Sequence, residues 1–136
     1  MRHDEDEQQA ALFAWIRARE DEVEALRFAF HPPNGGMRSK ATAANMMRLG
    51  TRRGCPDVWL PTPTPGYAGP GKGYIGLIIE MKAGRNKPTP EQKLYLAYLA
   101  RQGWHTAVCY DWLTAARLIA ANQDLPADLW PPEEIT

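Results

Sequence analysis

The alternation of apolar and polar residues divides this chain into a short series of elements. Over residues 5–27, Leu12, Phe13, Trp15, Ile16, Val23 and Leu26 recur at roughly helical spacing with Glu and Arg between them, which predicts an amphipathic helix. Phe28-Ala29-Phe30 reads as a short strand. His31-Pro32-Pro33-Asn34-Gly35-Gly36 is a loop, because two prolines and two glycines interrupt any regular element. Ser39 is placed to cap a short helix running through Met46 and Met47, and Gly50 to stop it. After the basic turn Thr51-Arg52-Arg53-Gly54-Cys55, residues Pro56–Leu60 form a strand. Residues 61–73 are a Pro/Gly loop, expected to be flexible and to order on a partner.

Tyr74–Lys82 is largely apolar and predicts a buried strand, with Glu80 and Lys82 at its polar end. Thr89, Pro90 and Gln92 open the next helix: a cap, a proline at the first helical position, and a glutamine that completes a capping box. Gly103 ends that helix. Trp104–Tyr110 is a further strand, and Asp111 caps a last helix to about Asn122. The order is helix, strand, short helix, strand, strand, helix, strand, helix. It describes a small mixed sheet with helices against it, in one domain over residues 1–125, followed by an irregular tail over 126–136. Trp130 in that tail is expected to pack on a second subunit.

Composition narrows the class. With 136 residues, 44% apolar and 24% charged, the chain has the makings of one globular domain. No apolar run approaches the roughly 20 residues of a membrane helix. The opening MRHDEDEQQ is acidic and unlike a secretory signal. Cys55 and Cys109 have no CxxC spacing, which excludes a disulfide scaffold and a zinc finger and fits a reducing cytoplasm. The net charge is zero but unevenly spread. Residues 31–93 carry ten basic and three acidic side chains, whereas residues 1–30 carry four and eight, and residues 94–136 two and five. A basic centre of this kind suits a polyanion, although charge clustering on solvated faces gives the same pattern.

Candidate chemistry gathers near the strands. Glu80 and Lys82 are two residues apart and so share a face. If the strands of Asp57 and Glu80 pair as a hairpin, the two carboxylates approach, and a hard cation such as Mg²⁺ or Mn²⁺ relieves their repulsion. A lysine beside them can orient water or stabilise charge on a phosphate. Taken alone, Glu80–Lys82 reads as a same-face salt bridge at a strand end, since such pairs are common. His31 reads as a loop hydrogen-bonding residue rather than a general base.

Pro56-Asp57 followed by Glu80-Met81-Lys82 resembles the PD-(D/E)XK nuclease motif. The blocks around it are similar to the VRR-NUC family of virus-type replication and repair nucleases. These are Glu5 with Gln9-Ala10-Ala11-Leu12-Phe13-Ala14-Trp15, the Asn34-Gly35-Gly36 loop, Gly50–Asp57, Gly76–Lys82, and Pro90-Glu91-Gln92. The resemblance spans about residues 5–120. It implies a restriction-endonuclease-like αβββαβ core. Asp57, Glu80 and the Met81 carbonyl would ligate Mg²⁺ or Mn²⁺, joined by a first-helix glutamate. Glu5 fits that role through its spacing to Gln9, with Glu7 as the alternative. Lys82 would be the catalytic lysine, with Gln92 beside it, and the capping-box role of Gln92 remains compatible. Asn34, Gly35, Gly36, Arg38, Lys40, Arg48, Arg52 and Arg53 would meet DNA. The function implied is a metal-dependent DNA endonuclease, homodimeric and Holliday-junction-resolvase-like, in the cytoplasm of a phage-infected or bacterial cell. A monomeric flap or fork nuclease and a catalytically silent DNA-binding module are the alternatives.

Overall fold

In a computed structural model, which describes residues 2–33 and 39–134, four helices surround a three-stranded mixed sheet of order β1-β2-β3. The helices are α1 (Arg2–Arg19), α2 (Lys40–Arg48), α3 (Pro90–Arg101) and α4 (Trp112–Asn122). The strands are β1 (Val58–Leu60), β2 (Leu77–Met81) and β3 (His105–Cys109). The β1–β2 pair is antiparallel and β2–β3 is parallel, with α3 as the crossover. No helix among the described residues is long and apolar enough to cross a membrane.

Strand alternation sorts the two faces of β2. Leu77, Ile79 and Met81 join Leu12, Trp15 and Ile16 of α1 and Ala115, Ala116, Ile119 and Ala120 of α4 in one core. Gln8 ties the two helices together: its Oε1 accepts the Trp112 amide at 2.7 Å, one of the donors that a helix start leaves without an internal partner. Ile78 and Glu80 project from the opposite face. Both are buried, which places a carboxylate in the interior.

Local signals set several boundaries. The Ser39, Thr89 and Asp111 side chains each cap their helix, and Thr89 with Gln92 completes the capping box. Strand ends trim by one to three residues, and two larger differences from the sequence reading stand out. The first helix stops at Arg19 instead of continuing to Arg27, and Glu24–Phe28 form a separate 3-10 turn that buries Leu26. Glu20, Asp21 and Glu22 lie where the helix dipole disfavours negative charge, and Val23 is extended. The strand expected over Phe28–Phe30 contracts to one bridge, Phe30 to Trp59, leaving three strands in the sheet.

The 61–73 loop is not loose. The Thr64 amide donates to the Tyr74 carbonyl at 3.0 Å, the Tyr74 amide to Thr64 Oγ1 at 2.9 Å, and the Ala68 amide to the Lys72 carbonyl at 3.1 Å. In the tail, Ala127–Leu129 form one 3-10 turn, and Trp130 donates Nε1 to the Leu125 carbonyl at 2.9 Å while the residue stays 38% exposed.

Candidate active site

The β1–β2 register pairs Val58 with Ile79 and so sets Asp57 opposite Glu80, where the strands part. Asp57 Oδ2 accepts the Met81 amide at 2.7 Å, the side chain taking the place of a backbone acceptor. The Asp57 carbonyl turns the other way and accepts a hydrogen bond from His31 Nδ1 at 2.7 Å, the loop role read for His31. Asp57 is thus held from both sides.

Glu80 is 2% exposed. Its Oε1 is buried with no hydrogen-bond partner among the described residues, and its Oε2 lies 3.7 Å from Lys82 Nζ. Lys82 is 7% exposed, and its amide extends the β2–β3 ladder to the Cys109 carbonyl at 2.9 Å. Burial, and then the charge of Asp57, push the Glu80 carboxyl up to about 9. Burial also raises Asp57, against the opposing pull of the Met81 amide. Two adjacent carboxyls in a dry place resist holding two negative charges, so each is pushed toward its protonated form, a strain that a cation between them would relieve.

Glu5 is the first-helix glutamate that reaches this end of the sheet. Asn86 Nδ2 donates to Glu5 Oε2 at 3.2 Å, and the Glu5 charge is felt at Glu80. Glu7 is exposed. Asn86 is itself fixed: its amide donates to the Ala83 carbonyl at 3.1 Å, and its carbonyl accepts the Tyr110 hydroxyl at 2.8 Å. Sequence reading passed over Asn86, because one asparagine in a turn carries no motif. The Gln92 amide oxygen accepts the Thr89 amide at 2.8 Å, its capping-box role.

Gly54 sits at φ +79° against the start of α3, where a Cβ would fall 2.6 Å from the Glu91 carbonyl carbon. Cys55, half-buried, lies among Tyr95, Trp59 and Asp57, and burial pushes its thiol up. Lys40, Arg48, Arg52 and Arg53 are exposed, whereas Asn34, Gly35, Gly36 and Arg38 lie outside the described residues.

Among the described residues, no three His, Cys, Asp or Glu side chains converge into a complete metal cage. The donors present are two facing carboxylates, one with an unpartnered buried oxygen. That set fits a hard cation that keeps part of its water shell and takes only one or two carboxylates from protein.

An α/β domain that carries an Asp–Glu pair and a lysine at one end of a mixed sheet has the parts of a nuclease-type site. The VRR-NUC domain model matches residues 5–112, and the chain belongs to that family. Among solved structures, a chain described as a VRR_NUC domain protein is similar at 25% identity, covering 90% of this chain and 89% of that one, with a TM-score of 0.69. No curated protein matches the chain. The family is one of nucleases, typically dependent on a divalent metal, and a nuclease domain implies binding to DNA.

Proposed function

We propose that this chain is a Mg²⁺- or Mn²⁺-dependent DNA endonuclease that selects branched DNA and works as a homodimer, with residues 1–125 as the nuclease domain. The carrying observation is the buried carboxyl pair Asp57–Glu80, one oxygen of which has no protein partner among the described residues, beside the Lys82 ammonium. Asp57 and Glu80 would hold the cation, with the Met81 carbonyl and Glu5 as further donors. When bound, the cation supplies Lewis-acid assistance to water and to the phosphate. Lys82, kept dry and close to Glu80, orients the attacking water and offsets charge developing on the phosphate. Asn86 holds Glu5 in place, and Gln92 fixes the start of α3 beside Gly54. Lys40, Arg52 and Arg53 meet phosphates, as would Asn34, Gly35, Gly36 and Arg38 of the preceding loop. A four-way junction has two-fold symmetry, so a two-fold pair of chains would set one site on each of two equivalent strands.

End-labelled four-way junction and linear duplex, incubated with Mg²⁺, Mn²⁺ or EDTA beside an Asp57→Asn control, test this reading. The expected result is paired, symmetric, metal-dependent cuts on the junction that the variant does not make. Equal inertness of wild type and variant with every metal would overturn it.

A further inference from the structure

Between Glu24 and Asp57 the sequence has no acidic residue, and that stretch includes Lys40, Arg48, Arg52 and Arg53. The helix within it, α2, has no buried residue. A nine-residue helix is too short to persist on intrinsic propensity. Here its ends are held locally. Ser39 Oγ accepts the Thr42 amide at 3.1 Å, and the Gly50 and Thr51 amides close on the Met47 and Met46 carbonyls at 3.1 and 3.0 Å. Gly50, at φ +111°, reverses the chain there. Among the described residues its C-terminal turn is left open, with Met47 45% exposed and Leu49 69%.

The flanks of this segment are anchored beside Asp57. On one side His31 bonds the Asp57 carbonyl, and on the other Gly54 rests on the Glu91–Gln92 backbone. The chain that leaves α2 runs through Gly54 to Asp57, so a partner held by the turn after α2 lies along the segment that leads to the carboxylate pair. The charges say which partner. The ion pairs among the described residues are Arg27–Asp21 and Lys82–Glu80, so none of Lys40, Arg48, Arg52 and Arg53 is paired with a described carboxylate. Asn45 Oδ1 receives Arg48 Nη2 at 2.8 Å and Nε at 3.3 Å, which stiffens the guanidinium without neutralising it. A second copy facing this surface would oppose it with the same cations, whereas a polyanion complements them.

We infer that α2 and the turn after it form a DNA-docking arm, in which Lys40, Arg48, Arg52 and Arg53 take phosphates while Met47 and Leu49 pack on sugar and base surface in the minor groove. This deepens the nuclease reading and rests on it for the choice of DNA. Charge alone would give binding without the two apolar side chains; exposed apolar residues among cations are the means by which minor-groove proteins wedge a duplex.

The test is fluorescence anisotropy of labelled junction and duplex with the full chain in EDTA, at several salt concentrations. Met47→Ala/Leu49→Ala should weaken binding about tenfold and leave the salt slope unchanged, because only apolar surface is removed. Arg48→Ala/Arg52→Ala should weaken binding and reduce the slope by about 2, roughly one for each phosphate no longer neutralised. Both variants should melt like wild type, since neither touches the core.

Wild-type affinity in Met47→Ala/Leu49→Ala at every salt concentration would overturn the inference. So would a loss of self-association in that variant, measured by sedimentation, with DNA binding intact, which would assign the helix to a second copy. A preference for duplex RNA over DNA would overturn it as well. Metal-dependent cleavage by wild type reports the nuclease reading separately: a wild type that cuts, with variants that bind normally, sinks the arm and leaves the nuclease standing.

Discussion

Asn86 donates its side-chain amide to the Glu5 carboxylate at 3.2 Å, across 81 positions of chain. The bond fastens the first turn of α1 to the loop that follows the Glu80–Lys82 strand end, so two segments of the proposed metal site move together. Truncating Asn86 leaves its backbone tie to Tyr110 in place but frees Glu5. Asn86→Ala is expected to weaken Mn²⁺ binding about tenfold, the usual scale for a group that orients a ligand. It should lower kcat with little change in KM for DNA. Calorimetric metal titration and steady-state cleavage check both, and unchanged metal affinity would show the bond to be incidental.

Glu80 is held against the interests of stability. A buried carboxyl facing Asp57 costs more than an amide of the same shape. Glu80→Gln gives up the long 3.7 Å pairing with Lys82 but removes the like charge that faces Asp57, and should on balance raise the metal-free stability by about 1 kcal/mol and abolish metal-dependent cleavage. Urea denaturation in EDTA measures the first effect, and a destabilised variant would mean that Glu80 is a structural residue.

Gly54 and Gly84 separate two reasons for glycine. Both have positive φ, but a Cβ at Gly84 meets open space, while at Gly54 it strikes the α3 backbone at 2.6 Å. Gly84→Ala should cost about 1 kcal/mol, the left-handed penalty alone. Gly54→Ala should cost about 2–4 kcal/mol, because backbone must also shift. Thermal melts compare them, and equal losses would remove the close-packing argument.

His105 gives a pH dependence away from the carboxylates. It stacks on Tyr74 at 4.6 Å between ring centroids and lies 3.3 Å from Asn122 Nδ2, and burial lowers its pKa from 6.5. The unfolded chain then binds a proton more readily than the folded one. The stability is present above about 6.5 and is lost as pH falls through 6.5 toward the lower folded value. Melting temperatures between about pH 7.5 and 5 should fall for wild type and fall less for His105→Gln, and parallel curves would deny the linkage.

Features written within a few residues were legible in the chain alone. The Ser39, Thr89 and Asp111 caps, the apolar β2 run and the Asp57 and Glu80-Met81-Lys82 motifs could be read because capping, alternation and residue chemistry act over one turn or one strand. Relationships between distant segments waited on the packed molecule. The register that sets Asp57 opposite Glu80 depends on a hairpin closing across the 24 positions from Asp57 to Met81. The approach of Glu5 rather than Glu7 depends on which face α1 buries against α4, and the part played by Asn86 depends on where the next loop comes to rest. The end of α1 at Arg19 and the shrinkage of the first strand to the Phe30–Trp59 bridge followed the same rule. An apolar stripe announces that a face will be buried, but packing selects the partner that buries it, and hence where the helix or strand stops.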